Sequence, residues 1–210
     1  MMRLHGQLYA ILDLGYVREE NALAAARALL AGGASLLQLR AKGHAPELIE
    51  ALARRVLPLC REAGVPFIVN DYPDIAAVVG ADGIHIGQDD GSLAEVREIV
   101  GEGMLVGRST HSPEQARAAL EEGFDYIGFG PLFPTPTKLG RPGIGIADIA
   151  SVQAEVGSKV PVFCIGGIKR SNLAEVIAAG ARNAVIVSDL LGSSEIETAT
   201  REAVALLSAH

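Results

Sequence analysis

Three cations, two carboxylates and a set of hydroxyls and glycines carry most of the chemical potential of this chain. Arg40 and Lys42 sit in Gln38-Leu-Arg40-Ala-Lys42, and Lys138 sits in Gly130-Pro-Leu-Phe-Pro-Thr-Pro-Thr-Lys138. Cations drawn from separate segments of an acidic chain suit a polyanion, and the fork of a guanidinium matches phosphate oxygens. Asp71 follows Asn70, and Asp90 closes His85-Ile-Gly-Gln88-Asp89-Asp90. Two carboxylates beside a phosphate site suit Mg2+, which takes one or two carboxylates plus phosphate oxygens and water. General acid–base work, or a salt bridge to Arg40, are the other readings of the same pair. Gly166-Gly167 and Ser188 form a second group, able to offer bare N–H groups and a hydroxyl to another anion. Ser109-Thr-His111-Ser112 adds further polar atoms, with helix capping the plain alternative for Ser112.

These residues need a frame that brings them together, and the apolar runs supply one. Short β-rich runs occur at Leu8–Leu12, Leu36–Leu39, Phe67–Val69, Gly83–Ile86, Leu105–Val106, Tyr126–Phe129, Val162–Ile165 and Ala184–Val187. Helical patterns that end near a glycine separate them. The second of these shows Leu48, Leu52, Val56, Leu59 and Ala63 at spacings of three and four. Pro46 suits its first turn, and Pro58 predicts a kink. A two-turn helix is expected over Pro73–Val79. Eight strands alternating with about eight helices predict an α/β fold: a single-domain (β/α)8 TIM barrel over residues 1–210. In that fold the strand C-terminal ends share one face, and the chemical residues fall at or just after those ends.

The longest connection, Pro131–Pro161, carries the proline-rich segment with Thr135, Thr137 and Lys138 at its tip. Three prolines restrict φ and bias the preceding residues toward extended backbone, which suits a segment built to hold polar groups in place. Gly140, Gly143 and Gly145 are candidate hinges for closing it.

Bulk properties narrow the field. The 210 residues carry a net charge of −7, with 49 % hydrophobic and 4 % aromatic residues and no Trp. Nucleic acid, which calls for a basic face, is not expected as a partner. Two cysteines, Cys60 and Cys164, give neither a disulfide framework nor metal-ligand spacing. No apolar run reaches membrane-spanning length, so no membrane partner and a cytoplasmic location are expected. Assembly into a homo-oligomer is compatible with the sequence.

In order along nearly the whole chain, these motifs resemble thiamine-phosphate synthase. They are Gln38-Leu-Arg40-Ala-Lys42, Asn70-Asp71, Gly83-Ile-His-Ile-Gly-Gln-Asp-Asp90, the Thr-Pro-Thr-Lys138 loop, Ile165-Gly-Gly-Ile168 and Val187-Ser188. The resemblance implies two phosphorylated substrates, a hydroxymethylpyrimidine diphosphate and a hydroxyethylthiazole phosphate, joined with release of pyrophosphate. It assigns Gln38, Arg40, Lys42, Asn70 and Lys138 to the pyrimidine diphosphate, with Ser109 on its diphosphate. Thr135, Thr137, Gly167, Val187 and Ser188 fall to the thiazole phosphate, and Asp71 and Asp90 to Mg2+. Arg40, Lys42 and Lys138 would act electrostatically in a dissociative reaction. Ala41, Cys164 and Asp189 depart from the family's usual residues without removing a matched ligand.

Two other functions fit parts of the pattern. A thiazole tautomerase of related sequence would use His111, and a phosphate-ligand sensor would need no carboxylate pair. The carboxylates and the Thr-Pro-Thr-Lys138 loop favour the synthase.

Overall fold

Every second residue of each strand points into a closed barrel, and that alternation organises the fold. A computed structural model describes Leu4, residues 7–135 and residues 142–209. The strands are β1 (Leu8–Asp13), β2 (Leu36–Arg40), β3 (Phe67–Asn70), β4 (Gly83–Ile86), β5 (Leu105–Thr110), β6 (Tyr126–Phe129), β7 (Val162–Cys164) and β8 (Asn183–Ile186). All pair in parallel in chain order, and β1 closes on β8 through Leu8↔Ala184 and Ala10↔Ile186. The described helices are α1 (Ala22–Ala31), α2 (Pro46–Ala63), α3 (Pro73–Val79), α4 (Leu93–Val100), α5 (Pro113–Glu122), α6 (Ile149–Glu155), α7 (Leu173–Ala178), α8 (Ser188–Leu191) and α9 (Ile196–Ser208). The expected (β/α)8 barrel is therefore the fold.

Two apolar layers follow from the alternation. Leu8, Ala10 and Leu12 of β1, with Leu37, Leu39 and Val69, pack in the layer that includes the helices' buried residues. Tyr9, Ile11, Leu36, Ile68, Leu105, Tyr126, Phe163 and Val185 form the separate inner cluster. Being buried on both faces is why the strands read as continuous apolar runs.

The inner cluster is dominated by three rings. Tyr9 and Phe163 meet edge to face at 5.3 Å between centroids, and Tyr126 stands 6.0 Å from each. Glycines make the room. A Cβ at Gly107 would lie 2.1 Å from Tyr126 Cζ, and one at Gly83 would lie 2.5 Å from Ile68 Cδ1.

Local signals explain the helix ends. Pro46 starts α2, and Gly64 stops it at φ 66°. Ser92 and Glu95 form a capping box on α4. Ser112 caps α5 by accepting from the Gln115 N–H, the plain role weighed for it. One detail of α2 differs from the sequence reading. Its buried side is Ile49, Leu52, Ala53, Val56, Leu57, Leu59 and Cys60, whereas Ala63 is exposed, because the apolar stripe drifts around the helix. The helix runs on through Pro58, which sits on the exposed side. A longer β5 matters more: it runs to Thr110, so Ser109 lies within the strand and faces inward.

Gly107→Ala should lower stability by about 1–3 kcal/mol, because the ring it meets has no flexible end to yield. Gly103→Ala, with nothing within 4 Å, should stay within about 0.5 kcal/mol of the parent in the same chemical denaturation series.

Candidate active site

The inward positions near the strand C-terminal ends change from apolar to polar, and a cavity opens there. Its floor is a hydrogen-bonded row across five strands. Gln38 Nε2 donates to Tyr9 Oη at 2.6 Å, and Tyr9 Oη lies 3.2 Å from Tyr126 Oη. Tyr126 Oη is 3.3 Å from His85 Nδ1, and His85 Nε2 is 2.9 Å from Ser109 Oγ. Burial holds both phenols well above their ordinary range, so they stay protonated. Asn70 also lines the cavity, from the end of β3. Ser109, which the resemblance assigns to the diphosphate, is an inward residue of β5 with its hydroxyl on His85 in this floor.

Charge at the mouth is arranged in pairs. Arg40 Nη1 donates to Asp13 Oδ2 at 2.7 Å, and Asp13 is only 1 % exposed. The β1–β2 register sets Asp13 directly opposite Arg40. Gly15 N–H donates to the other Asp13 oxygen at 2.9 Å. Lys42 Nζ lies 3.5 Å from Asp71 Oδ2, and its side chain is 65 % exposed. Arg40 lines the central cavity, whereas Lys42, Asp71 and Asp90 stand outside its lining. Of the three cations expected to meet a polyanion, Arg40 therefore faces the cavity and Lys42 stands beside it. The two described cations each have a carboxylate partner, and Lys138 lies outside the described residues.

Asp71 and Asp90 are held close. Asp71 has a left-handed backbone, φ 68°, a conformation Asp tolerates better than most side chains. Its N–H donates to the His85 carbonyl at 3.0 Å, tying the β3 end to β4. Burial, and then the neighbouring Asp90 charge, raise the Asp71 carboxyl above its usual range, while Lys42 opposes the shift. The Asp90 loop is clamped from β5. Arg108 donates to the Gly91 carbonyl at 2.6 Å and the Gln88 carbonyl at 3.1 Å, one on each side of Asp90. Its guanidinium lies 5.3 Å from the Phe124 ring centroid. Two repelling carboxylates with one partly solvated lysine leave a deficit of positive charge. No group of three or more Asp, Glu, His or Cys side chains suited to a metal occurs among the described residues. An all-oxygen pair of this kind fits Mg2+, which completes its shell with phosphate oxygens and water.

The opposite wall comes from β6, β7 and β8. Pro131, Thr135, Gly166, Gly167, Val187 and Ser188 all line the cavity. Segment 131–133 runs against 165–167, with Leu132 N–H on the Ile165 carbonyl at 2.8 Å and Phe133 N–H on the Gly166 carbonyl at 3.0 Å. A Cβ at Gly166 would lie 2.3 Å from Pro131 Cα, so only glycine permits this approach. Ile144 and Gly145 N–H groups return to the Pro131 and Leu132 carbonyls at 2.8 and 3.0 Å. Gly143, read as a hinge, is instead a close-packing site: its Cβ would lie 2.6 Å from the Leu132 carbonyl oxygen. Thr137 and Gly140, like Lys138, lie outside the described residues.

Several other residues take clear places. Asp189 accepts from Arg170 N at 3.0 Å and Arg170 Nε at 2.8 Å, locking the loop after β7 to α8. Burial pushes the Cys164 thiol up to about 12, as suits a packing residue. His111 Nδ1 bonds the Gly130 carbonyl, and His111 does not line the central cavity, which weakens the tautomerase reading. Tyr9, Asp13, His85 and Tyr126 were given no role from sequence. Their parity was the available signal, since Tyr9 and Asp13 alternate with the outward Leu8, Ala10 and Leu12, as Gln38 and Arg40 do with Leu37 and Leu39.

Comparison with known proteins agrees with this geometry. The family model described as thiamine monophosphate synthase matches residues 8–190. A thiamine-phosphate synthase of Thermus thermophilus is 48 % identical over 172 residues, 82 % of each chain. That of Pelotomaculum thermopropionicum is 38 % identical over 207 residues, 98 % of this chain and 94 % of the relative. The solved structure of thiamine phosphate pyrophosphorylase from Pyrococcus furiosus shares 30 % identity at a TM-score of 0.86, covering 97 % of this chain and 96 % of that one. The chain belongs to the thiamine monophosphate synthase family.

Proposed function

We propose that the chain condenses 4-amino-5-hydroxymethyl-2-methylpyrimidine diphosphate with hydroxyethylthiazole phosphate, giving thiamine phosphate and pyrophosphate. The observation that carries the reading is a two-ended site. The acidic Asp71–Asp90 cluster, with Lys42, adjoins one side of a cavity whose opposite wall is Thr135, Gly166-Gly167, Val187 and Ser188. Between the two lies a polar floor sized by paired strands and suited to a flat heterocycle. Family membership makes the chain an enzyme of thiamine phosphate synthesis and removes the sensor reading.

In this reading Gln38 and Ser109 orient the pyrimidine. Asn70, Arg40, Lys42 and Lys138 hold the diphosphate. Asp13 keeps the Arg40 guanidinium in one direction, so little reorganisation is needed when charge develops on the leaving group. Asp71 and Asp90 would hold Mg2+, which supplies neutralisation of that developing charge. The bond between the pyrimidine methylene and the bridging oxygen breaks, and its electron pair leaves with pyrophosphate. The thiazole nitrogen lone pair then forms the new carbon–nitrogen bond. Thr135, Thr137, Gly167, Val187 and Ser188 anchor the thiazole phosphate so that the nitrogen faces the methylene. No protein nucleophile is needed, and the cavity walls limit capture of the cation by water.

Incubating both substrates with enzyme and Mg2+ should yield thiamine phosphate and pyrophosphate in equal amounts; failure to form the joined product overturns the reading.

Asp71 supplies a second check through its raised proton affinity. A folded-state carboxyl raised above its unfolded value favours folding below the unfolded pKa of about 3.9, and that contribution is lost as pH rises through the folded value. Without metal, the carboxylate pair therefore weighs against folding near neutral pH. Mg2+ should raise Tm near pH 7.5 and have little effect near pH 4. Asp71→Asn should raise the metal-free Tm by about 2–4 °C, the size of about 1 kcal/mol in a chain of this length. The same variant should lose the Mg2+ response and at least about 100-fold in kcat, by removing electrostatic stabilisation of the leaving group.

A further inference from the structure

The floor of the cavity is a continuous chain of hydrogen bonds with both ends on the ligand side. Gln38 gives its amide N–H to Tyr9 Oη at 2.6 Å. Having accepted that hydrogen bond, the Tyr9 hydroxyl can direct its own hydrogen to Tyr126 Oη, 3.2 Å away. Tyr126 in turn donates to His85 Nδ1 at 3.3 Å. An imidazole accepting at Nδ1 carries its proton on Nε2, which then donates to Ser109 Oγ at 2.9 Å. Taken in this direction, each group that accepts a hydrogen bond has its own hydrogen available for the next. At one end, Gln38 Oε1 has no partner among the described residues and serves as an acceptor. At the other, Ser109 Oγ already accepts, so its own O–H is a donor.

We propose that Tyr9, Tyr126 and His85 form a relay that fixes the floor as an acceptor at Gln38 and a donor at Ser109. The relay thereby selects a pyrimidine edge with an amino group beside a ring nitrogen over one with an oxo group beside a ring N–H. This rests on the proposed synthase reading and adds to it the means by which the base is chosen. An aminopyrimidine edge offers a donor and an acceptor in the complementary sense. The oxo form offers the reverse, setting acceptor against acceptor and donor against donor. A structural role alone would let the chain end inside the core. Here Tyr9, Gln38, His85 and Ser109 all line the cavity, and only Tyr126 is wholly internal. Tyr9 and Tyr126 are 2 % and 0 % exposed, which leaves them to each other and their neighbours as partners. Tyr9, Tyr126 and His85 are positioning residues, acting through Gln38 and Ser109.

Two measurements test the relay. The first is the tautomer of His85, read from imidazole 15N shifts in the resting full-length protein and assigned with a His85→Gln variant. Proton on Nε2 is expected; proton on Nδ1 reverses the chain and overturns the proposal. The second compares kcat/KM for the amino and oxo pyrimidine diphosphates, with thiazole phosphate and Mg2+ held constant. The parent enzyme should prefer the amino form by about 1,000-fold or more, as sites do when the wrong ligand leaves buried polar groups unpaired. Tyr126→Phe keeps the ring that packs over Gly107 and removes only the hydroxyl link. It should cut the preference to about 10-fold, mainly through KM, and give a mixed His85 tautomer. Tyr9→Phe should behave alike, and serves if Tyr126→Phe does not fold. Parent-like preference in either folded variant, or equal use of both bases by the parent, overturns the relay. If the parent joins neither base to the thiazole, the synthase reading falls, and the tautomer still decides the relay.

Discussion

A closed parallel barrel allows only alternate strand residues to enter its interior, and this limit governs the molecule. Leu8, Ala10 and Leu12 belong to the layer outside the strands; Tyr9, Ile11 and Asp13 line the cavity or its base. The interior volume is small, so large rings enter only where neighbours give up their side chains. Gly107 admits Tyr126, and Gly83 admits Ile68. The site therefore stands on an aromatic plug made of Tyr9, Tyr126 and Phe163, whose two hydroxyls face one another. Apolar packing and polar presentation are served by the same residues. That is why a buried polar row can exist here without orphaned groups.

Electrostatics at the mouth follow a second rule: the two described cations are held by carboxylates before any substrate arrives. Arg40 is oriented by a buried aspartate on the neighbouring strand, and Lys42 leans on Asp71 from the surface. Among the described residues, Asp71 and Asp90 face each other with too little compensation, which is the condition a divalent cation would relieve. Their geometry depends on backbone devices rather than on a dense ligand cluster. Asp71 takes a left-handed turn, and Arg108 bridges the carbonyls flanking Asp90.

The far wall is built by backbone contact. The stem of the proline-rich segment lies against the Gly166-Gly167 turn so closely that a side chain at Gly166 would strike Pro131. Asp189 and Arg170 then join that turn to the short helix that opens with Ser188. Residues that read as chemical candidates in isolation, such as Asp189 and Ser112, turn out to hold the frame around the candidates. His111, too, is occupied by a backbone carbonyl.

Taken alone, the sequence determined the barrel, because eight apolar runs buried on both faces and separated by helical periods leave few other solutions. It also determined which strand ends are polar, and so Gln38, Arg40, Asn70, Gly167 and Ser188 could be named before any coordinates. Tertiary structure alone decided the partners. Asp13 meets Arg40 only through the β1–β2 register, and Tyr9 meets Tyr126 only because the barrel closes across 117 residues of chain. Ser109 faces inward from within β5 because that strand is longer than its apolar core suggested. Pairing, burial and hydrogen-bond direction depend on distances between strands remote in sequence, and periodicity within a strand carries no record of them.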